Sequence, residues 1–155
     1  MAAFRLATPA DLPAVAALMA EFYRFNAVIA ETAPAFAEPE ILARLVRDGP
    51  GGRGLFETLL AEAGGRVAGY AIVNPVWWAD TMQPALLMSD FFVTAGARRG
   101  GLGSRMLAAV ADHGRARGAE LLIWTVWDRN AGSIAFYRSA GATLVDGEGV
   151  MTLAL

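Results

Sequence analysis

The sequence lacks two residue types on which much enzyme chemistry depends, cysteine and lysine. None of its 155 residues is cysteine, which excludes disulfides, thiolate zinc sites and a cysteine nucleophile. All 13 of its basic residues are arginine, so the chain cannot supply the phosphate loop that ends in Gly-Lys-Ser or Gly-Lys-Thr. Because it has no cysteine, the protein cannot carry an acyl group on a thiol of its own.

An excess of positive charge is also absent. The formal net charge is −2, and 18% of the residues are charged, which gives no support for generic nucleic-acid binding or for a polybasic membrane contact. No uninterrupted apolar run approaches the ~20 residues of a membrane span, and the first residues lack the basic-then-apolar pattern of a secretion signal. We therefore expect a soluble cytoplasmic protein with no nucleic-acid and no membrane partner.

The composition that remains predicts one globular domain over residues 1–155. Hydrophobic residues make up 55% of the chain, and this length suits a single core. Apolar periodicity and turn residues predict strands at 4–7, 56–63, 66–75, 86–94, 121–126, 143–145 and 150–155, with helices at 12–25, 40–47, 102–117 and 131–140. Residues 26–39 are predicted to form a loop or a broken helix, and residues 77–83 a loop with two exposed tryptophans. Hairpins followed by strand–helix units indicate an α/β domain.

Residues 85–105 combine an apolar run, a glycine-rich turn and the start of a helix. The N–H groups of a first helical turn have no intrahelical partner, and the helix dipole favours negative charge there. Glycines let a phosphate come close to the backbone, and Arg98, Arg99 and Arg105 add positive charge. The stretch therefore predicts an anion site.

The glycine spacing decides between nucleotide-binding patterns. The dinucleotide pattern G-x-G-x-x-G fails, because Met106 stands at its third glycine and the segment lies in mid-chain. The pattern [QR]-x-x-G-x-[GA] matches at every fixed position from Arg98 to Gly103. On this match the chain resembles the GCN5-related N-acetyltransferases (GNAT), whose signature binds the pyrophosphate of acetyl-coenzyme A.

Two flanking segments extend the resemblance. M-S-D-F-F-V, residues 88–93, looks like the family's bulged fourth strand, and the segment 130–141, N-A-G-S-I-A-F-Y-R-S-A-G, looks like its next helix. The resemblance implies a twisted, mostly antiparallel sheet of about seven strands, a splayed parallel pair after strand 4, and about four helices. The branch that looks closest is the diamine (spermidine/spermine) acetyltransferase-like group, on G-Y-A-I at 69–72, the long loop after it, and D-F-F-V. It implies a small-molecule amine substrate and a homodimer.

The resemblance also implies which residues bind acetyl-coenzyme A. They are Phe91, Phe92 and Val93, then Arg98, Arg99, Gly100, Gly101, Leu102, Gly103 and Ser104, and finally Asn130 and Ser133. The N–H groups of Phe91 and Val93 would bind the cofactor arm and the thioester oxygen, and those from Arg99 to Ser104 the pyrophosphate. Direct attack of the amine is the simplest mechanism, and we expect no metal.

Two residues are candidates for catalysis, Tyr137 and Asp90. A phenol with pKa ~10 is protonated at neutral pH and can donate to a thiolate leaving group, so Tyr137 is the candidate general acid. The alternative is a helix tyrosine that packs its ring and hydrogen-bonds water. Asp90 is a candidate for orienting an ammonium group, and its alternative is an ion pair with an arginine. Asn130 has two interpretations. It is either an ordinary helix N-cap or an N-cap that also contacts the cofactor arm.

Two polar residues put the substrate in doubt. Ser89 stands where the diamine branch carries an acid, and Asn26 stands where another acid is common near the end of the first helix. A polyamine would therefore be attracted less, and the general base stays unassigned. Further candidate substrate contacts are Ser89, Trp77, Trp78 and Phe25, whereas His113 reads as a lone solvated histidine.

Two other functions stay open. One is a peptide or protein N-acetyltransferase, ranked lower because the predicted long loop 77–83 would narrow the groove for a peptide. The other is a non-catalytic acyl-coenzyme A-binding module, against which the presence of Tyr137 argues.

Overall fold

The computed structural model describes residues 2–145, which divide into two compact units between Thr125 and Val126. The first unit contains β1 (Ala3–Leu6), a 3-10 turn (Pro9–Asp11), α1 (Leu12–Ala30), α2 (Glu38–Asp48), β2 (Glu57–Ala63), β3 (Arg66–Trp78), β4 (Gln83–Val93), a second 3-10 turn (Ala95–Ala97), α3 (Leu102–Ala116) and β5 (Leu121–Ile123). The second unit contains α4 (Ala131–Ser139). Four helices and the α/β class are confirmed.

The strands of the first unit form one sheet in the order β1-β2-β3-β4-β5. Neighbouring strands are antiparallel except β4 and β5, which are parallel. The predicted mostly antiparallel sheet with a parallel pair after strand 4 is therefore confirmed. Residues 2–145 contain five strands, not seven. Within the described part of the chain, residues 143–145 have no regular structure, and the predicted strand 150–155 lies outside the described residues.

Helices pack on both faces of the sheet. Alternate residues of β3 and β4 point to opposite faces, so each strand contributes side chains to both layers. On one side, Tyr70 and Phe92 belong to the core cluster that α1 and α2 form with the sheet. On the other side lies α3, where a Cβ placed on Gly69 would meet Met106 Sδ at 3.1 Å. Met106 and Val110 are fully buried there. The C-terminal half of β4 is thus held from both sides.

The predicted loop 77–83 is wrong. Trp77 and Trp78 continue β3 and pair with Pro84 and Gln83 of β4, so that only Ala79–Met82 is left as a turn. Pro75 had suggested the end of the strand, but the pairing of β2 with β3 stops at Val73. A proline without an N–H therefore costs no ladder hydrogen bond on that side. Residues 77–83 therefore form no long loop that could narrow the groove for a peptide substrate.

α1 is longer than predicted. It continues through Asn26 and the buried Ala27 to Ala30, and its C-cap Glu31 adopts a left-handed conformation with φ 56°. By length and composition alone the segment Pro9–Ala30 could cross a membrane, although Asp11, Glu21 and Arg24 interrupt its apolar residues. Core helices meet the same criterion, and α1 packs Val15, Ala16 and Met19 into the core cluster.

Candidate active site

β4 carries a bulge at the position that the sequence singled out. Ile72 of β3 pairs with Asp90 and Val73 pairs with Met88, so that Ser89 is an extra residue without a counterpart. Its side chain turns back on β3, where Ser89 Oγ lies 3.4 Å from the carbonyl oxygen of Ile72. The bulge expected from the resemblance is confirmed, and it changes the direction of the strand just before Asp90.

The pairing of the two parallel strands ends just before this bulge. β5 pairs with β4 only from Ala85 to Leu87, and within residues 2–145 no other strand lies along that side of β4 from Met88 to Val93. A side of a strand that no neighbouring strand covers can pair with an extended ligand. Phe91 and Val93, the residues assigned to the cofactor arm, lie in this part of β4.

The arginine–glycine turn, residues 98–103, has the backbone geometry of an anion site. Arg99 and Gly101 are left-handed, with φ 68° and 71°, whereas Gly100 between them is not. Alternation of this kind turns successive N–H groups toward one concavity. Gly101 is the N-cap of α3 and offers no side-chain cap, and the first turn contains no acidic residue.

The turn also leaves room for a ligand. A Cβ added to Gly100 or to Gly101 would meet no protein atom within 4 Å. Arg99, Ser104 and Arg105 are exposed. Open space, uncapped N–H groups and positive charge at one helix N-terminus fit a pyrophosphate.

Arg98 is held differently from the other arginines of the turn. Its Nε–H donates to the carbonyl oxygen of Val93 at 2.8 Å. Its guanidinium carbon lies 4.8 Å from the centre of the Phe25 ring and 5.1 Å from that of Phe92. Arg98 therefore ties the start of the turn back to β4 by a hydrogen bond and cation–π contacts. Phe25, predicted as a substrate contact, takes part in this packing.

Glu21 of α1 also contacts the segment that enters the turn, a contact that was not predicted from the sequence. The hydroxyl oxygen of Thr94 lies 2.8 Å from each of the two Glu21 carboxylate oxygens. The N–H of Ala95 donates to Glu21 Oε1 at 3.2 Å. Glu21 and Thr94 are 73 residues apart, and no local pattern links residues at that separation.

Asp90 lies at the centre of a buried polar pair. The hydroxyl of Tyr70 donates to Asp90 Oδ2 at 2.8 Å, and the Tyr70 side chain is fully buried. Burial raises the pKa of Asp90 to about 6, while hydrogen bonds from Tyr70 and from the backbone of Phe91 act in the opposite direction. Among residues 2–145 Asp90 has no ion pair, so the arginine partner considered from the sequence is wrong.

Aromatic residues surround this pair. Tyr70 packs on Phe92 at 6.3 Å between ring centres, and Phe92 packs on Phe22 at 5.7 Å. Burial and the negative charge of Asp90 raise the pKa of Tyr23. The pKa of Tyr70 is raised well above its usual value for the same two reasons. Both phenols therefore stay protonated at neutral pH, and Asp90 is the group whose charge changes near pH 6.

Other candidate residues lie apart from Asp90. Trp77 stands five pairs beyond Ile72 along β3, about 17 Å at ~3.4 Å per residue. Trp77 is 61% exposed. The structure therefore does not bring the tryptophans to Asp90. His113 is not a solvated histidine, because its Nε2 lies 2.7 Å from Glu57 Oε2 and Glu57 also contacts Arg117.

The second unit holds the remaining predicted residues. Asn130 caps α4, where its side-chain oxygen accepts from the N–H of Ser133 at 3.1 Å, so the predicted N-cap is confirmed. Tyr137 is half-buried on the same helix, with its ring centre 5.1 Å from that of Phe136. Among residues 2–145 no group of three His, Asp or Glu side chains could hold a metal ion.

Comparison with known proteins agrees with this geometry. The family model described as acetyltransferase (GNAT) family matches residues 15–142. A curated relative from Bacillus subtilis, named as an uncharacterized N-acetyltransferase, YhfO, is 29% identical over 83 residues. That alignment covers 54% of this chain and 56% of the relative. The chain therefore matches only about half the length of that protein.

Solved structures share the whole fold. An integron cassette protein from V. cholerae superposes with a TM-score of 0.83 at 19% identity, over 99% of this chain and 92% of that one. A ribosomal-protein-alanine N-acetyltransferase from Brucella melitensis gives 0.77 at 18%, over 99% and 100%. An aminoglycoside acetyltransferase from an uncultured soil metagenomic sample gives 0.71 at 17%, over 99% and 96%.

The family match covers most of the chain, and the bulged β4, its separation from β5 and the arginine–glycine turn lie within the matched residues. The chain belongs to the acetyltransferase (GNAT) family, a family of acyltransferases. The spermidine/spermine branch finds no support among these relatives, and at these identities the solved structures show a shared fold only.

Proposed function

We propose that this protein is an N-acetyltransferase that moves an acetyl group from acetyl-coenzyme A to a primary amine of a small molecule. The observation that carries the proposal is the arginine–glycine turn, where left-handed Arg99 and Gly101 open a concavity at the uncapped N-terminus of α3. Enzymes of this family generally use acetyl-coenzyme A. When bound, it supplies the acetyl group as a thioester.

The residues of the turn fit the cofactor's pyrophosphate. The N–H groups from Arg99 to Ser104 would hold the phosphate oxygens, and the positive end of the α3 dipole would add to them. The part of β4 that follows its pairing with β5 would pair with the extended arm, and Phe91 and Val93 are carried over as its contacts from the family resemblance. Asn130 and Ser133 are carried over as cofactor contacts from the family resemblance alone.

The acceptor amine must lose a proton before its nitrogen attacks the acetyl carbon. Asp90 would orient the ammonium group, because its carboxylate is the ionisable group at the bulge and the Tyr70 hydroxyl fixes one of its oxygens. A carboxylate with a pKa of about 6 is ionised at neutral pH and can accept a proton more readily than an ordinary aspartate. A single carboxylate favours an amine with one positive charge over a polyamine.

Tyr137 would donate the proton that the departing thiolate needs. A phenol suits this role at neutral pH, and the segment from Asn130 to Gly141 resembles the family's helix in which such a tyrosine occurs. The new N–C bond forms as the C–S bond breaks, and the thiol leaves protonated.

Release of free thiol from acetyl-coenzyme A with a panel of amines tests the proposal. We expect thiol release with at least one monoamine, and a loss of about 100-fold in turnover at neutral pH for Tyr137→Phe. Unchanged turnover in Tyr137→Phe would contradict the acid role. Coenzyme A binding without release of thiol from acetyl-coenzyme A in the presence of any acceptor would favour the non-catalytic binding module.

A peptide acceptor stays as the second candidate, because β3 and β4 form a continuous hairpin up to Trp78 and the loop expected to narrow the groove is absent. Peptides with a free N-terminal amine therefore belong in the panel. A homodimer and a cytoplasmic location remain proposals from the sequence and the family resemblance.

A further inference from the structure

We propose that Glu21 is a positioning residue for the cofactor site, which acts through Thr94 and Ala95 and does not itself contact the cofactor. The inference rests on the proposed function of the arginine–glycine turn. It starts from a carboxylate on α1 that is bonded to the last residues before that turn.

The contact lies where β4 ends and the turn begins. Val93 is the last residue of β4, Thr94 follows it, and a 3-10 turn runs from Ala95 to Ala97. The Glu21 carboxylate accepts a hydrogen bond from the Thr94 hydroxyl at 2.8 Å and another from the Ala95 N–H at 3.2 Å. Since the N–H groups at the start of a short helix lack intrahelical partners, this carboxylate fills the role of a cap supplied by another helix.

A second contact of α1 supports the same segment. Phe25 lies one helical turn after Glu21, and the guanidinium of Arg98 lies over its ring. Arg98 in turn donates to the carbonyl oxygen of Val93. α1 therefore holds both ends of the segment 94–98, by a carboxylate at Thr94 and by a ring at Arg98. The backbone direction of the N–H groups that follow, from Arg99 on, depends on these two contacts.

Removal of the Glu21 charge distinguishes a positioning role from a direct electrostatic effect of Glu21 on the pyrophosphate. A carboxylate close to a pyrophosphate repels it, so if charge alone mattered, removal of the Glu21 charge would tighten binding of coenzyme A. If Glu21 acts through Thr94 and Ala95, the same change weakens binding, because the segment loses a charge-assisted hydrogen bond. The two roles therefore predict opposite signs for Glu21→Gln.

Titration of coenzyme A into purified variants tests the proposal. We expect Glu21→Gln to raise the dissociation constant about tenfold, the range for loss of a hydrogen bond to a charged group. Thr94→Val should have a similar effect, and Thr94→Ser, which keeps the hydroxyl, should bind as the wild type does. The double variant Glu21→Gln/Thr94→Val should bind no more weakly than the weaker single variant, because both changes break one contact.

Steady-state kinetics and a control variant complete the test. The KM for acetyl-coenzyme A should rise in Glu21→Gln while the KM for the amine stays unchanged, which general destabilisation would not produce. Glu31→Gln makes the same chemical change at the exposed end of α1 and should leave both constants unchanged. If Glu21→Gln fails to fold, the affinity of Thr94→Val for coenzyme A is compared with that of Thr94→Ser, and weaker binding by Thr94→Val alone supports the proposal.

Equal or tighter coenzyme A binding by Glu21→Gln and Thr94→Val would overturn the inference. Failure of the wild-type protein to bind coenzyme A would instead overturn the proposed function, so that the two failures are distinguishable.

Discussion

Replacement of Asp90 by asparagine should stabilise the protein at neutral pH while it impairs acetyl transfer. Burial raises the pKa of Asp90 from 3.8 to about 6 in the folded state. A shift of about two units corresponds to about 3 kcal/mol of free energy of unfolding. The folded state keeps a proton on Asp90 between about pH 4 and pH 6 that the unfolded state has lost. Stability is therefore lost as the pH rises through this window.

Asparagine has nearly the same shape, accepts a hydrogen bond from Tyr70 and carries no charge. Above pH 6 Asp90→Asn should gain about 3 kcal/mol over the wild type, and the gain should vanish near pH 4. Chemical denaturation of both proteins from pH 4 to pH 8 measures the difference. Asp112→Asn, on the exposed face of α3, controls for the loss of one negative charge. A difference that stays constant with pH, or a variant less stable than wild type at pH 8, would refute the argument.

Two more substitutions test the site. Tyr70→Phe removes a hydrogen bond that lowers the pKa of Asp90, so the acidic limb of the pH profile of kcat/KM should move to higher pH; a limb that does not move would separate Asp90 from the activity. Gly101→Ala places a Cβ on a residue with φ 71° and should cost about 1 kcal/mol of unfolding free energy and weaken coenzyme A binding. Gly100→Ala, at ordinary φ and without neighbours within 4 Å, should keep wild-type stability, and equal stability of both variants would argue against strain at Gly101.

The elements that carry local signals were predictable from the sequence. Gly64-Gly65 formed the expected hairpin turn, with both residues left-handed. The start of α3 at Leu102 and the cap at Asn130 also followed from residue type and spacing. The bulge at Ser89 came from the family resemblance, since nothing in the residue type alone requires an extra residue there.

The contacts that complete the site depend on distant pairs, and the sequence could not supply them. Glu21 reaches Thr94 across 73 residues, and His113 reaches Glu57 across 56. Tyr70 faces Asp90 because of the exact register of β3 and β4, which a bulge shifts by one residue. The tryptophans were misassigned because proline normally ends a strand, and the free edge of β3 beyond Val73 makes Pro75 acceptable.

The most direct measurement is calorimetric titration of the wild-type protein with coenzyme A and, separately, with pantetheine, which lacks the pyrophosphate. If the arginine–glycine turn binds the pyrophosphate, coenzyme A binds at one site per chain and pantetheine binds far more weakly. At 100 times its dissociation constant, coenzyme A should also raise the free energy of unfolding by about 2.7 kcal/mol. Absence of coenzyme A binding, or equal affinity for the two compounds, would contradict the central claim.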